Sequence, residues 1–291
     1  MSRRNWTLFF LSGFLWGIPY LFIKIAVDPD TGLSPATVVF GRVLIGALIL
    51  IPIAIKDRTI FDALRGIKYV AIYALCEMIG PWILIGTAEQ SITSGMAGLL
   101  IATVPIWSTI MTSFYGDKSV WHRKRLFGML VGFIGVFLLV GIESITGTSD
   151  PLAIGMVLLA SIGYSYAVIS VTRALPNVSG IAINGLAMAI TALACLPLTL
   201  TQLPDHKVSV QAFGSVVALG IFSTGLAFAV FFAMVKEVGP ARASLVTYLN
   251  TAFAVVLGVI ILSEPLTVGI IIGLPLVLLG SYLASRKEAT V

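Results

Sequence analysis

Residues 241–280, ARASLVTYLNTAFAVVLGVIILSEPLTVGIIIGLPLVLLG, contain two apolar runs that a short polar connection separates. The same plan occurs about half a chain earlier, in residues 93–135, TSGMAGLLIATVPIWSTIMTSFYGDKSVWHRKRLFGMLVGFIG. Asp117, in the first connection, aligns with Glu264, in the second, at an offset of 147 residues. Self-similarity at a fixed offset indicates an internal repeat. We therefore expect two copies of one structural unit.

Other positions repeat in nearly the same register. The matched pairs are Thr103 with Thr251, Trp16 with Tyr164, Ile51-Pro52 with Leu196-Pro197, and Gly128 and Gly135 with Gly273 and Gly280. Any two helices rich in Leu, Ile, Val and Gly align somewhere. Registers that agree to within three residues favour duplication over chance, and they divide the chain into repeats over 1–147 and 148–291.

The composition places the chain in a lipid bilayer. Its 291 residues are 58% hydrophobic and 11% charged, with a mean hydropathy of +1.04. Soluble proteins are roughly 45–50% apolar and about 25% charged. The net charge of +5 comes from basic residues that are spread along the chain rather than gathered into a patch. This distribution argues against nucleic acid as a partner.

Ten segments are long and apolar enough to cross a hydrocarbon core of about 30 Å, which requires about 20 helical residues. The first follows MSRRN, and we interpret it as a helix rather than a signal peptide because no small-x-small cleavage site follows it. The segments lie near 6–27, 35–55, 68–87, 94–114, 126–142, 152–172, 180–200, 211–233, 241–262 and 267–285.

The lysines and arginines predict the orientation, because short cytoplasmic loops are enriched in both. Of the 18 such residues, 15 lie in connections on the side of the N-terminus, Lys207 lies on the other side, and Lys24 and Arg42 lie within segments. Both termini are thus expected in the cytoplasm. Because each repeat has an odd number of helices, the second must be inverted relative to the first.

The predicted fold is therefore an all-α membrane protein whose ten transmembrane helices form two inverted five-helix repeats. Such repeats, related by a pseudo-two-fold axis in the membrane plane, are a transporter architecture with the substrate near the midplane. We expect alternating access in a protein that can work as a monomer and that can also form a homodimer.

Several short motifs occur in an order and spacing that resemble a known family. They are Trp16-Gly17 with Lys24, Phe40-Gly41-Arg42, Pro105, Gly239-Pro240-Ala241-Arg242-Ala243-Ser244, Ser263-Glu264-Pro265, and Gly273 with Gly280. The chain is similar to the EamA-type repeat of the drug/metabolite transporter superfamily over nearly its whole length. The resemblance implies a carrier of small metabolites in a bacterial-type inner membrane, with a central cavity; many members export amino acids or drugs. The chain departs from the family at Asn250-Thr251, where a proline is common.

Three ionisable side chains are predicted at membrane depth, where insertion costs at least about 2.5–3.5 kcal/mol. Glu77 precedes Pro81 by four residues, so its carbonyl loses a hydrogen-bond donor and the helix should kink. A carboxylate and a freed carbonyl suit a substrate, a cation or a proton. The alternatives are a structural ion pair with Arg42 or Lys24, and a protonated glutamate that hydrogen-bonds to a neighbouring helix. We expect those two cations to pair structurally, or to extend to the interface, rather than to contact the substrate.

Aromatic residues at midplane depth form a second candidate set, because they are too deep to belong to an interfacial belt. They pack helices together or line an aromatic pocket. The candidates are Trp16, Tyr20, Tyr73, Trp82, Trp107, Tyr164, Tyr166 and Phe222.

Polar residues of the ninth predicted segment form a stripe that either joins helices or hydrogen-bonds a zwitterion. Tyr248, Asn250 and Thr251 lie nearest its middle, and Thr103 is the counterpart of Thr251 in the first repeat. Three prolines within predicted helices, Pro19, Pro81 and Pro105, are candidate hinges.

Other classes of membrane protein fit less well. The two histidines and seven aspartates all lie in predicted loops, which argues against a Ser-His dyad, an aspartyl pair or a zinc site, so we expect no enzyme, cofactor or metal. No ring of charges or carbonyls indicates a channel filter. The sequence predicts a carrier, and the resemblance implies that it exports small metabolites such as amino acids; a multidrug exporter or an uptake permease remains the alternative.

Overall fold

The computed structural model describes residues 3–116, 122–146, 150–238, 243 and 246–285, and most of these residues are helical. Helices α1 to α11 span Arg3–Ala26, Pro35–Lys56, Ile60–Arg65, Ile67–Ala88, Ser94–Phe114, Arg123–Thr146, Pro151–Ala174, Gly180–Thr201, Val210–Val238, Val246–Ile261 and Val268–Ser285. No strand occurs within these ranges, so the predicted all-α class is confirmed.

Seven helices in the described ranges are long and apolar enough to cross a membrane: α1, α2, α4, α5, α7, α8 and α9. Helices α10 and α11 are apolar but shorter. The short helix α3 lies in what the sequence predicts as a plain connection. Its Ile60 and Ala63 are buried and pack with Ala182 of α8. This contact buries the apolar face of the short helix.

Capping residues fix where several helices begin. Ser34, Thr93 and Ser209 each accept a hydrogen bond from the backbone N–H three residues on, and Asp150 accepts one from Leu152 N at 2.8 Å. These side chains satisfy N–H groups that lack a partner within the helix. Pro151 follows its cap at the first helical position, where a missing N–H costs nothing.

Two long helices contain a π-helical stretch. One runs from Leu75 to Ile79 in α4 and ends just before Pro81, whose missing N–H accounts for it. The predicted irregularity at Pro81 is therefore present as a π turn. The other stretch runs from Leu219 to Leu226 in α9, where Gly220 and Gly225 press against α2. By contrast, α1 continues through Pro19 from Arg3 to Ala26.

Glycines allow α6 and α11 to lie in direct backbone contact. A Cβ on Gly280 would lie 2.2 Å from Gly132 N, and one on Gly128 would lie 2.6 Å from Ala284 N. A Cβ on Gly273 would lie 3.2 Å from the carbonyl oxygen of Gly135. These contacts agree with the interpretation of the repeated glycines as close-packing surfaces, the usual way that membrane helices associate.

The connections gather at two ends of the helix bundle. At the first end, the Glu264 end, Ser209 N donates to Thr31 O at 2.9 Å and the Glu264 carboxylate contacts Ser94. At the other, the Arg65 end, Arg4 pairs with Glu237 at 2.8 Å, and Arg173 lies over the ring of Tyr115. The predicted position of Asp117 and most of the Gly239-Pro240-Ala241-Arg242-Ala243-Ser244 motif lie outside the described residues.

Candidate functional site

Arg42 is a buried cation near the middle of the bundle, with 4% of its surface exposed. Its guanidinium carbon lies 3.7 Å from the ring centroid of Trp82 on α4, and its Nε donates to Thr224 Oγ1 of α9 at 3.2 Å. The aromatic face and the hydroxyl fix the plane of the guanidinium. Within the described chain, neither terminal nitrogen of Arg42 has a hydrogen-bond partner.

Glu77 lies within the π-helical stretch of α4 and is half-buried. Its Oε2 is buried and has no hydrogen-bond partner among the described residues. One turn earlier, Tyr73 donates from its hydroxyl to Asn184 Oδ1 of α8 at 3.1 Å. Asn184 in turn donates to the carbonyl of Gly180 at 2.9 Å, so this wall of the site is held in place by α8.

Tyr164 lies near these two charged groups. It lies on α7, close enough to both Arg42 and Glu77 for their charges to act on its hydroxyl. Tyr20 of α1 is likewise near Arg42 and Tyr164, and its ring packs against Gly98 of α5. The structure thus brings together Tyr20, Arg42, Tyr73, Glu77, Trp82 and Tyr164, all of them residues that the sequence singles out.

The proposed structural ion pairs are not formed in the part of the chain that the structure describes. Arg42 contacts Trp82 and Thr224 instead of Glu77. Lys24 donates to the backbone carbonyls of Glu89 and Ile92, the second at 2.9 Å. A lysine at the C-terminal end of α4 satisfies carbonyls that have no partner within the helix and complements the helix dipole, so Lys24 is structural.

Helix α5 is interrupted at Ala102 and Thr103, just before Pro105. The exposed carbonyls of the break are covered by hydroxyls from other helices. Ser281 of α11 donates to Ala102 O at 2.6 Å, and Ser165 of α7 donates to Val104 O at 3.0 Å. The bond from Ser281 replaces the one that Ala102 O would accept from Ile106 N in a regular helix, since Ile106 N donates to Thr103 O instead.

Thr103 and Trp107 belong to the same break. The Thr103 hydroxyl donates to Leu100 O at 2.7 Å and accepts from Trp107 Nε1 at 3.2 Å. Trp107 also meets Phe133 of α6 edge-on, with ring centroids 5.5 Å apart. Both residues are therefore engaged in holding the interrupted helix.

The counterpart of this break in the second half is absent. Helix α10 is continuous from Val246 to Ile261, through Asn250 and Thr251. Thr251 is fully buried, and its hydroxyl lies 3.0 Å from Thr247 O and 3.3 Å from Gly98 O of α5. Asn250 is buried beside Gly17 of α1. Where the family commonly has a proline, this chain thus has a continuous helix that is hydrogen-bonded to α5.

The remaining candidates are spread over other surfaces. Trp16 packs with Phe231 at 4.4 Å between ring centroids, and Tyr248 meets Tyr282 at 6.3 Å. Phe222 lines an apolar groove of about 320 Å³ between α1, α9 and α10. Tyr166 is 39% exposed. Of the two alternatives for the aromatic candidates, Trp16 and Tyr248 thus make packing contacts, whereas Tyr20, Tyr73, Trp82 and Tyr164 lie in the polar cluster around Arg42 and Glu77.

Two regions of the chain, residues 6–141 and 151–286, match the family described as the EamA-like transporter family. The chain belongs to the EamA-like transporter family. It is 24% identical over 288 residues to an uncharacterized transporter of Archaeoglobus fulgidus, covering 98% of this chain and 100% of that protein. It is 26% identical over 287 residues to the uncharacterized inner membrane transporter YedA of Escherichia coli K12, covering 94% and 90%.

One solved crystal structure superposes on this EamA-like protein with a TM-score of 0.65 at 16% identity, covering 98% of this chain and 97% of the other. At that identity the similarity concerns the fold. Family membership and the apolar helices together identify a multi-pass integral membrane protein with a transporter role.

The sequence does not single out every polar residue at the centre of this EamA-like protein. Thr224 and Asn184, which hold Arg42 and Tyr73, are absent from the predicted set. Thr224 aligns with Glu77 at the repeat offset of 147, and this alignment could have indicated Thr224 as a candidate residue. Glu89 is also missed, although it directly follows an apolar run and precedes the next by only four residues.

The Glu264 end of the EamA-like protein contains a cleft of about 190 Å³ that is lined by residues of three connections, among them Asp28, Gln90 and His206. The Thr31 hydroxyl and amide hydrogen-bond to Asp28, and these bonds hold the pKa of Asp28 below its ordinary value. His206 Nε2 lies 3.0 Å from Gly32 O. The connections at this end are therefore tied to one another.

Proposed function

We propose that this protein is a secondary transporter that exports amino acids, or closely related zwitterionic metabolites, from the cytoplasm by alternating access. One observation carries the proposal: Arg42 and Glu77 have no ion-pair partner among the described residues, and both lie near Tyr164. Unpaired charges at membrane depth are costly and are retained for function. Two of opposite sign complement the carboxylate and the ammonium of one zwitterion.

Arg42 is suited to the carboxylate. A guanidinium presents a planar fork of N–H donors that binds both oxygens of a carboxylate at once. Trp82 and Thr224 occupy one face and the Nε of that fork, and they leave the two terminal nitrogens for a ligand. In this role Arg42 contacts the substrate, which differs from the structural role that its position in the sequence suggests.

Glu77 is suited to the ammonium. Its carboxylate oxygens accept hydrogen bonds. Pro81 has no N–H to donate to the Glu77 backbone carbonyl, so this carbonyl is a second acceptor at the same depth in α4. Tyr73, fixed by Asn184, and Tyr164 supply aromatic surface between the two charges. The substrate side chain would lie against this surface.

The packing supports two halves related by inversion, with the substrate at their boundary. Helix α1 contacts α9 and α10, and its counterpart α7 contacts the corresponding helices α4 and α5. Residue 24 of α1 lies at the Glu264 end, whereas residue 173 of α7 lies at the Arg65 end, so these counterparts run in opposite directions. The central cluster draws residues from both halves, as rocking of one half against the other requires.

The lysines and arginines in the connections support a cytoplasmic location for the Arg65 end, because short cytoplasmic loops are enriched in both. The Glu264 end then faces outward, and its tied connections describe a closed outer face.

Counterflow in proteoliposomes tests the proposal. Vesicles loaded with an unlabelled amino acid should transiently accumulate the same labelled amino acid, whereas the corresponding amine or carboxylic acid alone should not elicit counterflow. Arg42→Gln should abolish the effect, and Arg65→Gln, which alters an exposed arginine, should leave it intact. Counterflow of lipophilic cations without counterflow of any zwitterion would instead identify a multidrug carrier and exclude amino acid export.

A further inference from the structure

Glu89 is an acidic residue that the proposed substrate site does not use. It directly follows α4 and is fully buried, with 0% of its surface exposed. Both of its carboxylate oxygens are buried and have no hydrogen-bond partner among the described residues. A charged carboxylate in that position would have lost its hydration without any bond in return, which is strongly unfavourable.

Four charged or titratable groups face Glu89 from the surrounding elements. Lys24 and Tyr20 belong to α1, Arg42 to α2, and Glu264 to the connection after α10. Each has another partner: Lys24 donates to backbone carbonyls, Arg42 Nε donates to Thr224, and Glu264 accepts from Ser94. None of them hydrogen-bonds to the Glu89 carboxyl, which is therefore surrounded by charge but not neutralised by contact.

The charged groups around Glu89 favour a proton over a metal cation as its ligand. A metal cation would need several oxygen ligands, and it would be repelled by the ammonium of Lys24 and the guanidinium of Arg42. A proton needs one carboxylate oxygen and removes the buried charge. The next residue, Gln90, lines the cleft at the Glu264 end, so Glu89 lies one residue along the chain from that face.

We propose that Glu89 is the proton-binding site through which the transporter uses a proton gradient, an inference that rests on the proposed carrier function. With the proton bound, Glu89 is neutral and Glu264 remains at the start of α5. When the proton leaves Glu89 for water in the cleft, two carboxylates face each other. Their repulsion weakens the contact between Glu264 and Ser94 and favours opening of this end.

The matched variants are Glu89→Gln, which keeps the shape and cannot titrate, and Asp62→Asn, which alters an exposed acid on α3. In proteoliposomes, both should retain amino acid counterflow at equal pH. Wild type and Asp62→Asn should accumulate more labelled substrate when a pH gradient is imposed, and Glu89→Gln should lose that increase. An undiminished response to the gradient in Glu89→Gln would overturn the proposal.

A second readout does not depend on transport. Infrared difference spectra of the purified protein, recorded between acid and alkaline buffer, should contain a protonated-carboxyl band that is absent from Glu89→Gln and present in Glu77→Gln. If no amino acid is transported, the proposed function fails, and this band still decides whether Glu89 binds a proton. A spectrum unchanged by Glu89→Gln refutes the proton site. Should Glu89→Gln fail to fold, Glu89→Asp replaces it, and the band should then titrate at a different pH.

Discussion

The Glu264 carboxylate caps the helix that begins at Ser94. Its Oε1 accepts from Ser94 N at 2.7 Å, and its Oε2 accepts from the Ser94 hydroxyl at 2.9 Å and from Gly95 N at 3.2 Å. The acid follows α10 and the helix that it caps is α5, so one side chain joins the two halves. An anion at a helix N-terminus satisfies free N–H groups and complements the dipole.

We expect Glu264→Gln to destabilise the purified protein, because an amide accepts hydrogen bonds more weakly and does not complement the helix dipole. Losing a cap costs about 0.5–2 kcal/mol. Thermal unfolding in detergent measures the difference. Glu237→Gln is the control, because it disrupts a largely exposed ion pair with Arg4 that is worth about 0–1 kcal/mol. Equal losses of stability in both variants would show that capping by Glu264 contributes no more than an ordinary surface ion pair.

Arg42→Lys should weaken amino acid binding while it leaves the charge in place. A lysine cannot form the fork that binds two carboxylate oxygens, and it cannot stack on Trp82 in the same way. A hydrogen bond to a charged group contributes about 1.5–3 kcal/mol, so the Kd should rise by about 10–100-fold. Equilibrium binding of labelled amino acid measures this, with Arg65→Lys as the control. Unchanged affinity would remove Arg42 from the binding site.

Because Arg42 and Glu77 do not form an ion pair, substitutions of the two residues should affect the free energy of unfolding independently. Their effects on the free energy of unfolding should add to within about 0.5 kcal/mol in the Arg42→Gln/Glu77→Gln double variant, as for groups without direct contact. Chemical unfolding of the two single variants and the double variant completes the cycle. A double variant that is clearly more stable than the sum predicts would reveal a pair in the native protein.

Replacing Pro105 with Ala should slow transport without reducing expression. Alanine restores an N–H donor and allows a regular helix through residues 101–105, which removes the break that the hydroxyls of Ser165 and Ser281 now cover. Initial counterflow rates, set against the amount of protein in the membrane, test this. Pro52→Ala, in a helix that runs without interruption, is the matched control. A normal rate in Pro105→Ala would mean that the break is incidental.

Gly280→Ala should be destabilising by about 1–3 kcal/mol, because its Cβ would meet the backbone of Gly132 and force α6 and α11 apart. Gly155→Ala is the control, since no atom lies within 4 Å of a Cβ there. That substitution should instead stabilise its helix by roughly 0.5–1 kcal/mol. Thermal unfolding distinguishes the two, and similar behaviour would contradict the close packing of α6 against α11.

The helices and much of their local detail can be predicted from the sequence, because they depend on nearby residues. The length of the apolar runs determines most helix positions, Ser34 and Asp150 mark helix starts, and the irregularity before Pro81 follows from a missing donor. The glycine spacing similarly indicates where two helices can approach.

Contacts between distant residues are harder to predict from one sequence. The bond between Arg42 and Thr224 spans 182 residues, and nothing local requires it. The burial of Glu89 depends on Lys24, which covers the end of α4 from another helix. The surface on which Phe222 lies is hard to predict for a further reason: the residue lies in a π-helical stretch, where an extra residue turns the following side chains by about 100°.

Helices α5 and α10 occupy corresponding places in the two halves, yet one is divided at residues 102–103 and the other is continuous. An interrupted helix can bend at its break, whereas a continuous helix has no such point, so the two conformational changes are expected to differ. Under the proposed alternating access, closing one face of the membrane can bend α5 at this break, whereas closing the opposite face has to move α10 as a continuous helix. We therefore expect the half-saturating substrate concentration to differ between the two faces.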